Sequence, residues 1–262
     1  MIRDVKIFLW LLKLGALVNI YFLIQTFFSP LSLVDMHIRI PAQILFLVCA
    51  YRCLLPVRYT NNIVFHISPF SSIFLTRILA TFSEIASIYQ LAYLMRLLNV
   101  NQVSWVELLS WVMIAQVIIS QGFVWGAILT SRLKLYVYEE AGWGIIFIIN
   151  TVISAYLYIT VNDYFDREIL IYLNLLFGAV YLPWQYFHLR YLYVDAQKKD
   201  QKGKITTSIN WIMILQGFYR SITLKNQSTG LKDWGGVIGI TWAISYWALI
   251  MPVWTYMIVL LV

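Results

Sequence analysis

The chain has 262 residues, of which 61% are hydrophobic and only 12% are charged, and its formal net charge is +7. Soluble domains carry about 25% charged residues, so this chain has too few charges to cover a water-facing surface. The composition therefore excludes an ordinary soluble domain and predicts a multi-pass integral membrane protein.

Segments of about 20 mainly apolar residues, the length that crosses a bilayer as an α-helix, occur seven times along the chain. Turn-forming residues separate them, such as SPLS after the first segment and NVNQ after the third. The sequence therefore predicts an all-α bundle of seven transmembrane helices, in one polytopic domain covering 1–262. The predicted spans are 6–28, 40–57, 74–96, 105–129, 141–161, 169–189 and 236–260.

Lysine and arginine are concentrated in alternate loops. The side that holds the N-terminus carries 14 of the 19 basic residues and the opposite side carries three, while Lys13 and Arg77 lie inside spans. Positively charged loops stay in the cytoplasm, so we expect a cytoplasmic N-terminus and an outside C-terminus. Because topology accounts for the positive charge, we expect no nucleic-acid partner; anionic lipid headgroups at the cytoplasmic loops are the expected partners.

The third span contains two charged residues in the stretch TRILATFSE (76–84). A charge at the bilayer centre costs at least about 2.5–3.5 kcal/mol, so such residues usually face protein or water. Arg77 and Glu84 are seven residues apart, which is about two helical turns, and therefore share one face. Ala80, Thr81 and Ser87 flank the same side, and small or hydroxyl residues favour close helix contact. The pattern predicts that this face is buried in protein.

A second polar stripe follows the sixth span. Its members recur at steps of 4, 3, 4 and 3, which keeps them on one face of an α-helix. They are Asn174, Gly178, Tyr181, Gln185 and His188. Pro183 interrupts the hydrogen-bond ladder of this span, so a bend is expected there.

The predicted topology gathers these polar residues in the cytoplasmic half of the bundle, where Arg52 closes the second span and Glu139 and Glu140 open the fifth. Two interpretations stay open: contacts that only fix helix packing, or a polar cavity between spans 3, 5 and 6 that opens toward the cytoplasm. In the second interpretation the candidate ligand-binding residues are Arg77, Glu84, Glu139, Glu140, Gln185, His188, Lys13 and Gln121.

The sixth predicted loop, near 190–234, contains the segment SINWIMILQGFYRSI (208–222), which is too short to span a bilayer. An amphipathic helix in the membrane interface and a short helix that caps the bundle are both consistent with it.

Other chemistry has weaker support. NDYFDREI resembles the first aspartate-rich motif of UbiA-type intramembrane prenyltransferases, which would imply magnesium–diphosphate binding at Asn162, Asp163 and Asp166, but Leu170 replaces the last aspartate. The three histidines form no paired motif, so we predict no metal site and no cofactor. Cys49 and Cys53 are one helical turn apart in the second span and are expected to be free thiols, because a disulfide within a regular helix has poor geometry.

Three functional classes therefore remain. The first is a protein that binds or transports a small charged ligand, ion or proton in the polar cavity. The alternatives are a non-catalytic subunit of a membrane complex, which implies partner subunits, and an intramembrane enzyme that acts on a lipid or isoprenoid substrate.

Overall fold

The computed structural model describes residues 5–28, 36–160, 168–202 and 210–262. It is 85% helical, and seven of the described helical segments are long and apolar enough to cross a membrane, as predicted. Large apolar side chains are exposed on all of them, which is the surface that a bilayer requires. This is the architecture of a multi-pass membrane protein. The cytoplasmic placement of the N-terminus stays a prediction.

The first six spans are single helices, and the seventh is built from three helical pieces. The single helices are α1 (Lys6–Phe28), α2 (Met36–Leu54), α3 (Ile73–Leu98), α4 (Ser104–Thr130), α5 (Lys134–Thr160) and α6 (Glu168–Lys202). A short helix, α7 (Trp211–Thr223), lies between the sixth and seventh spans. The seventh span consists of α8 (Gly236–Ile244), a π-helix (Ser245–Ile250) and α9 (Met251–Leu261).

Three helices begin or end at other residues than the hydropathy pattern predicted, because helix-forming or helix-breaking residues lie at their ends. α2 ends at Leu54 because Pro56 restricts the residue before it to extended conformations. α5 starts at Lys134, so Glu139 and Glu140 lie inside the helix rather than at its opening. α6 passes through Pro183 and continues to Lys202, since its polar C-terminal part is rich in helix formers. The sixth loop is therefore shorter than predicted.

A small three-stranded sheet, absent from the all-α prediction, joins two loops. β1 (Val57–Arg58) pairs antiparallel with β2 (Ile63–Val64), and β2 pairs in parallel with β3 (Asn226–Gln227). The Val5 amide donates a hydrogen bond to the Thr229 carbonyl oxygen at 2.9 Å. The start of α1, the α2–α3 loop and the segment before α8 therefore meet at one end, as the predicted alternation of loops requires.

The chain divides into two compact units. Unit 1 comprises Met1–Ser87 with Phe218–Leu260, and unit 2 comprises Ile88–Gly217. The core of unit 1 is formed by α1, the end of α2, the two loops and the seventh span. Its fully or nearly buried members include Leu9, Leu12, Ala16, Cys53, Phe65, Trp234, Trp247 and Ala248.

Unit 2 is built on α4, α5 and α6, with α5 packed against both of the others. Two glycines permit close approach between these helices. A Cβ atom at Gly142 would overlap the Ser120 hydroxyl of α4, and one at Gly178 would overlap the Thr151 hydroxyl across the α5–α6 contact. Small residues at helix contacts are the usual means of close packing within membranes.

Some predictions fall on residues that the structure does not describe. Asn162, Asp163 and Asp166, which carry the prenyltransferase resemblance, lie outside the described residues, as does the SPLS turn. The assignment of the whole chain to one domain also stays a prediction.

Candidate functional site

Three buried charges meet in unit 1. The Glu84 Oε2 atom accepts a hydrogen bond from Arg77 Nη2 at 2.8 Å, and Glu84 Oε1 lies 3.7 Å from Arg52 Nη1. The exposed fractions are 1% for Arg77, 6% for Glu84 and 7% for Arg52. Each oxygen of one carboxylate thus faces a different guanidinium group. In these two ion pairs of the described residues, the positive charges of Arg77 and Arg52 share the one negative charge of Glu84.

The helices place these residues by their periodicity. Arg77 and Glu84 lie two turns apart on α3, and the same face buries Ala80 and Ser87, as predicted. Arg77 Nε lies 3.4 Å from the Thr81 hydroxyl oxygen on the next turn, which it approaches as a donor. α3 is also the most buried of the seven spans.

Arg52 lies in the last turn of α2, where a cation interacts favourably with the free carbonyl groups of the helix end. Its guanidinium carbon is 4.1 Å from the ring centroid of Trp247, a short cation–π contact. Its Nη2 atom also lies 3.4 Å from the Tyr59 hydroxyl. The Arg77 guanidinium carbon is 5.7 Å from the same Tyr59 ring, so this tyrosine borders both arginines.

The π-helix brings Trp247 to this cluster. A π-turn inserts one extra residue per turn, which rotates the following side chains and changes which carbonyl groups are bonded within the helix. The Trp247 carbonyl oxygen accepts a hydrogen bond from the Asn19 side-chain nitrogen at 3.0 Å, and the same nitrogen donates to the Gly15 carbonyl oxygen at 2.8 Å. A Cβ atom at Gly15 would overlap Ala248, so the glycine lets α1 approach the π-helix closely enough for this bond.

One hydrogen-bond donor of this cluster is unsatisfied, and it belongs to Arg52. Its Nε atom is buried and has no hydrogen-bond partner. A guanidinium group offers five N–H donors, and a buried donor left without an acceptor costs about 1–3 kcal/mol. Cys49 and Cys53, which flank Arg52 on α2, are free and buried, as predicted.

A separate polar cluster lies in unit 2, between α5 and α6. The Gln185 side-chain nitrogen donates to the Glu140 backbone oxygen at 2.6 Å and to the Glu140 carboxylate at 3.1 Å. His188 Nε2 lies 3.9 Å from the other carboxylate oxygen, and the His188 ring stacks on Trp184 at 4.6 Å. The side chains of Glu140 and His188 are each 21% exposed, so this cluster is less buried than the one in unit 1.

The predicted stripe on the sixth span is a helix contact. Asn174 accepts a hydrogen bond from the Asn150 side-chain nitrogen at 3.1 Å, Gly178 contacts Thr151, and the Tyr181 ring lies 4.8 Å from Phe147. Four of the five stripe residues are buried and the fifth, His188, is partly buried. The stripe therefore faces α5.

The other candidate residues are Lys13, Gln121 and Glu139. The Lys13 ammonium group is 3.8 Å from the Trp10 ring centroid in α1. Gln121 is buried in α4 and Glu139 is buried in α5. In the described residues, no three or more histidine, cysteine, aspartate or glutamate side chains cluster as a metal site would require.

The structure thus groups Arg77 with Glu84, and Glu140 with Gln185 and His188. The cavity predicted between spans 3, 5 and 6 stays a prediction. Sequence reasoning missed Arg52, Tyr59 and Trp247 as site residues. Arg52 could have been found, because the predicted topology places the end of the second span and the start of the third on the same side of the membrane.

Comparisons of this chain with protein-family models, with curated proteins and with solved structures find no match.

Proposed function

We propose that unit 1 binds a small anion at Arg52, within the membrane-spanning part of the chain. The proposal is carried by one observation, the buried guanidinium group of Arg52 with an unpartnered Nε atom beside a carboxylate that Arg77 already holds. A carboxylate or phosphate group could accept hydrogen bonds from the planar fork of an arginine through two oxygens. Such a ligand would neutralise the second positive charge.

The position of Arg52 suits a ligand that arrives from water. It lies in the last turn of α2, close to the end of the predicted membrane-spanning segment. An anion from the aqueous phase at that end would cross little of the hydrocarbon region, where an isolated charge is costly. By the predicted orientation this aqueous phase is the cytoplasm.

The aromatic residues around Arg52, Trp247 and Tyr59, support binding by a pre-formed site. Trp247 holds the guanidinium group in place when no anion is bound, because a cation over an aromatic face is stabilised by about 0.5–2 kcal/mol. The Tyr59 hydroxyl adds a hydrogen bond from Nη2. A ligand that finds the arginine already oriented loses less conformational entropy on binding.

The protein provides its own reporter for a binding test. Cys49 and Cys53 are buried thiols next to Arg52, so a maleimide dye that fluoresces on reaction would report their exposure during thermal unfolding. We expect inorganic phosphate or citrate to raise the unfolding midpoint in a saturable way, beyond chloride at equal ionic strength. A ligand at 100 times its Kd stabilises the folded state by about 2.7 kcal/mol.

Two arginine variants separate specific binding from a general salt effect. Arg52→Gln should lose the phosphate-dependent shift, and Arg52→Lys, which keeps the charge, should retain part of it. Arg96→Gln is the matched control, because Arg96 in unit 2 also lies over a tryptophan, Trp111, at 4.3 Å. Equal shifts in Arg52→Gln and Arg96→Gln, or no shift in the wild type, would refute the proposal.

A packing role in a membrane complex is the second candidate, and the Arg77–Glu84 contact favours it. This short ion pair has 1% and 7% side-chain exposure, and its Glu84 carboxylate also lies 3.7 Å from Arg52 of α2, so its simplest role is to fix how α3 packs against α2. This candidate predicts that variants of either residue lose stability and that no anion changes the unfolding midpoint. The dependence of the unfolding midpoint on phosphate concentration therefore decides between the two functions.

A further inference from the structure

α7 is too short to cross a bilayer and yet exposes a large apolar surface. Its 13 residues extend about 20 Å, against about 30 Å of hydrocarbon. Asn210 caps its first turn, accepting a hydrogen bond from the Met213 amide at 2.8 Å. This cap satisfies one of the free amide groups at the start of the helix. The exposed apolar surface of the helix needs an apolar environment to cover it.

The side chains of α7 divide into three faces at about 100° per residue. Gly217 and Ser221 are buried, one turn apart, and mark the face toward the protein. An apolar face next to it covers about 120° of the helix and is exposed at between 37% and 78% per residue. It consists of Trp211, Ile212, Leu215, Phe218, Tyr219 and Ile222. A polar face, with Gln216, Arg220 and Thr223, completes the circle.

Contacts in unit 1 fix where the end of this helix lies. The Asn62 side chain donates to the carbonyl oxygens of Arg220 at 3.1 Å and Leu224 at 3.4 Å. The Phe218 ring lies 4.8 Å from Phe74, near the start of α3. The strand that follows α7 pairs with the α2–α3 loop. The C-terminal end of α7 is therefore held where two predicted spans leave the membrane.

Basic residues lie on the polar face of α7 and directly after the helix, where Lys225 Nζ donates a hydrogen bond to the Ile222 carbonyl oxygen at 3.2 Å. Arg220 is exposed on the polar face, and Lys225 follows the helix. An apolar face combined with a polar face that carries basic residues is the pattern of helices that lie in the headgroup region of a bilayer with anionic lipids. Each basic residue near such a surface contributes attraction to the negative headgroups.

We propose that α7 lies along the membrane–water interface, with its apolar face in the boundary of the acyl chains and with Arg220 and Lys225 at anionic lipid headgroups. The occupant of the apolar face is the lipid leaflet that borders α7. This site is separate from the anion site at Arg52, so each proposal can fail without the other.

The test uses the whole 262-residue chain in phosphatidylcholine vesicles with and without phosphatidylglycerol. Leu215→Cys and Gln216→Cys are labelled with an environment-sensitive dye. These neighbours lie on the apolar and polar faces, and the native thiols are buried. We expect doxyl lipids to quench the dye at 215 several-fold more than at 216, and aqueous iodide to show the opposite order.

Two results would overturn the interfacial placement. Equal iodide quenching at both positions would place the apolar face in water. Protection of position 215 from both quenchers would mean that a protein surface, from a second copy or another chain, covers the helix.

The headgroup contact has its own readout. A dye at Ile222→Cys should be quenched more by doxyl-phosphatidylglycerol than by doxyl-phosphatidylcholine, and this preference should disappear in the Arg220→Gln, Lys225→Gln double variant. Equal quenching by both lipids without those substitutions would refute the role of the two basic residues.

Discussion

Replacing Glu84 with glutamine removes the carboxylate that Arg77 and Arg52 share, while nearly preserving its size. At an effective dielectric constant of about 20, unit charges 2.8 Å and 3.7 Å apart attract each other by about 6 and about 4.5 kcal/mol. Desolvation offsets much of that attraction. Removing one partner of a buried ion pair nevertheless costs about 3–5 kcal/mol, because the remaining charge stays buried. We expect Glu84→Gln to lower the free energy of unfolding by this amount.

Reversible unfolding by SDS in mixed micelles, followed by tryptophan fluorescence, measures this change. The control is Glu107→Gln, because Glu107 is exposed in the first turn of α4 and contributes only about 0.3–1 kcal/mol through the helix dipole. If Glu84→Gln stays within about 0.5 kcal/mol of the wild type, as a surface substitution would, the shared carboxylate does not stabilise the two buried arginines.

The same variant distinguishes the two functional proposals. Without the Glu84 carboxylate, two guanidinium groups face one space, so an added anion should bind there more tightly than in the wild type. We expect formate or phosphate to restore part of the stability that Glu84→Gln loses. A variant that is destabilised but does not respond to any anion would support the packing role and count against anion binding.

Two further predictions concern other parts of the chain. Gly178→Leu should lower the free energy of unfolding by at least about 1–3 kcal/mol, because the leucine side chain would overlap Thr151. The control Ala179→Leu, at an exposed neighbouring position, should leave the free energy of unfolding nearly unchanged. Equal losses for the two variants in SDS unfolding would refute the close contact. Burial and the nearby charge of Lys13 lower the pKa of His66, so the unfolded chain takes up a proton before the folded protein does. The free energy of unfolding should therefore fall as the pH drops below about 6.5, and it should fall less in His66→Asn than in the wild type. Parallel pH profiles of the unfolding midpoint in the two proteins would contradict this.

Much of the architecture could be predicted from local pattern. Seven apolar segments of sufficient length predict seven spanning helices, because a backbone in lipid must satisfy its own hydrogen bonds. Helical periodicity placed Arg77 and Glu84 on one buried face, and it placed the stripe from Asn174 to His188 on another. The helix spacing of Cys49 and Cys53 predicted free thiols, which the structure confirms.

The partners of those faces could not be predicted in the same way. Periodicity gives the direction of a side chain around its own helix but carries no information about the neighbouring helix. The hydropathy pattern predicted Arg52 only as the end of a span, although its guanidinium group is buried against Trp247. The apolar sequence of the seventh span also contains no signal for the π-turn that orients this tryptophan.

The sequence by itself determined the class of protein and the buried face of each polar helix, because composition and period are local properties of the chain. Only the tertiary structure decided that Arg52 joins Arg77 at a single carboxylate and that Gln185 and His188 contact Glu140. It also decided that the apolar face of α7 is exposed within the part of the chain that the structure describes. Those outcomes depend on contacts between residues far apart in sequence, and such contacts are set by how whole helices pack.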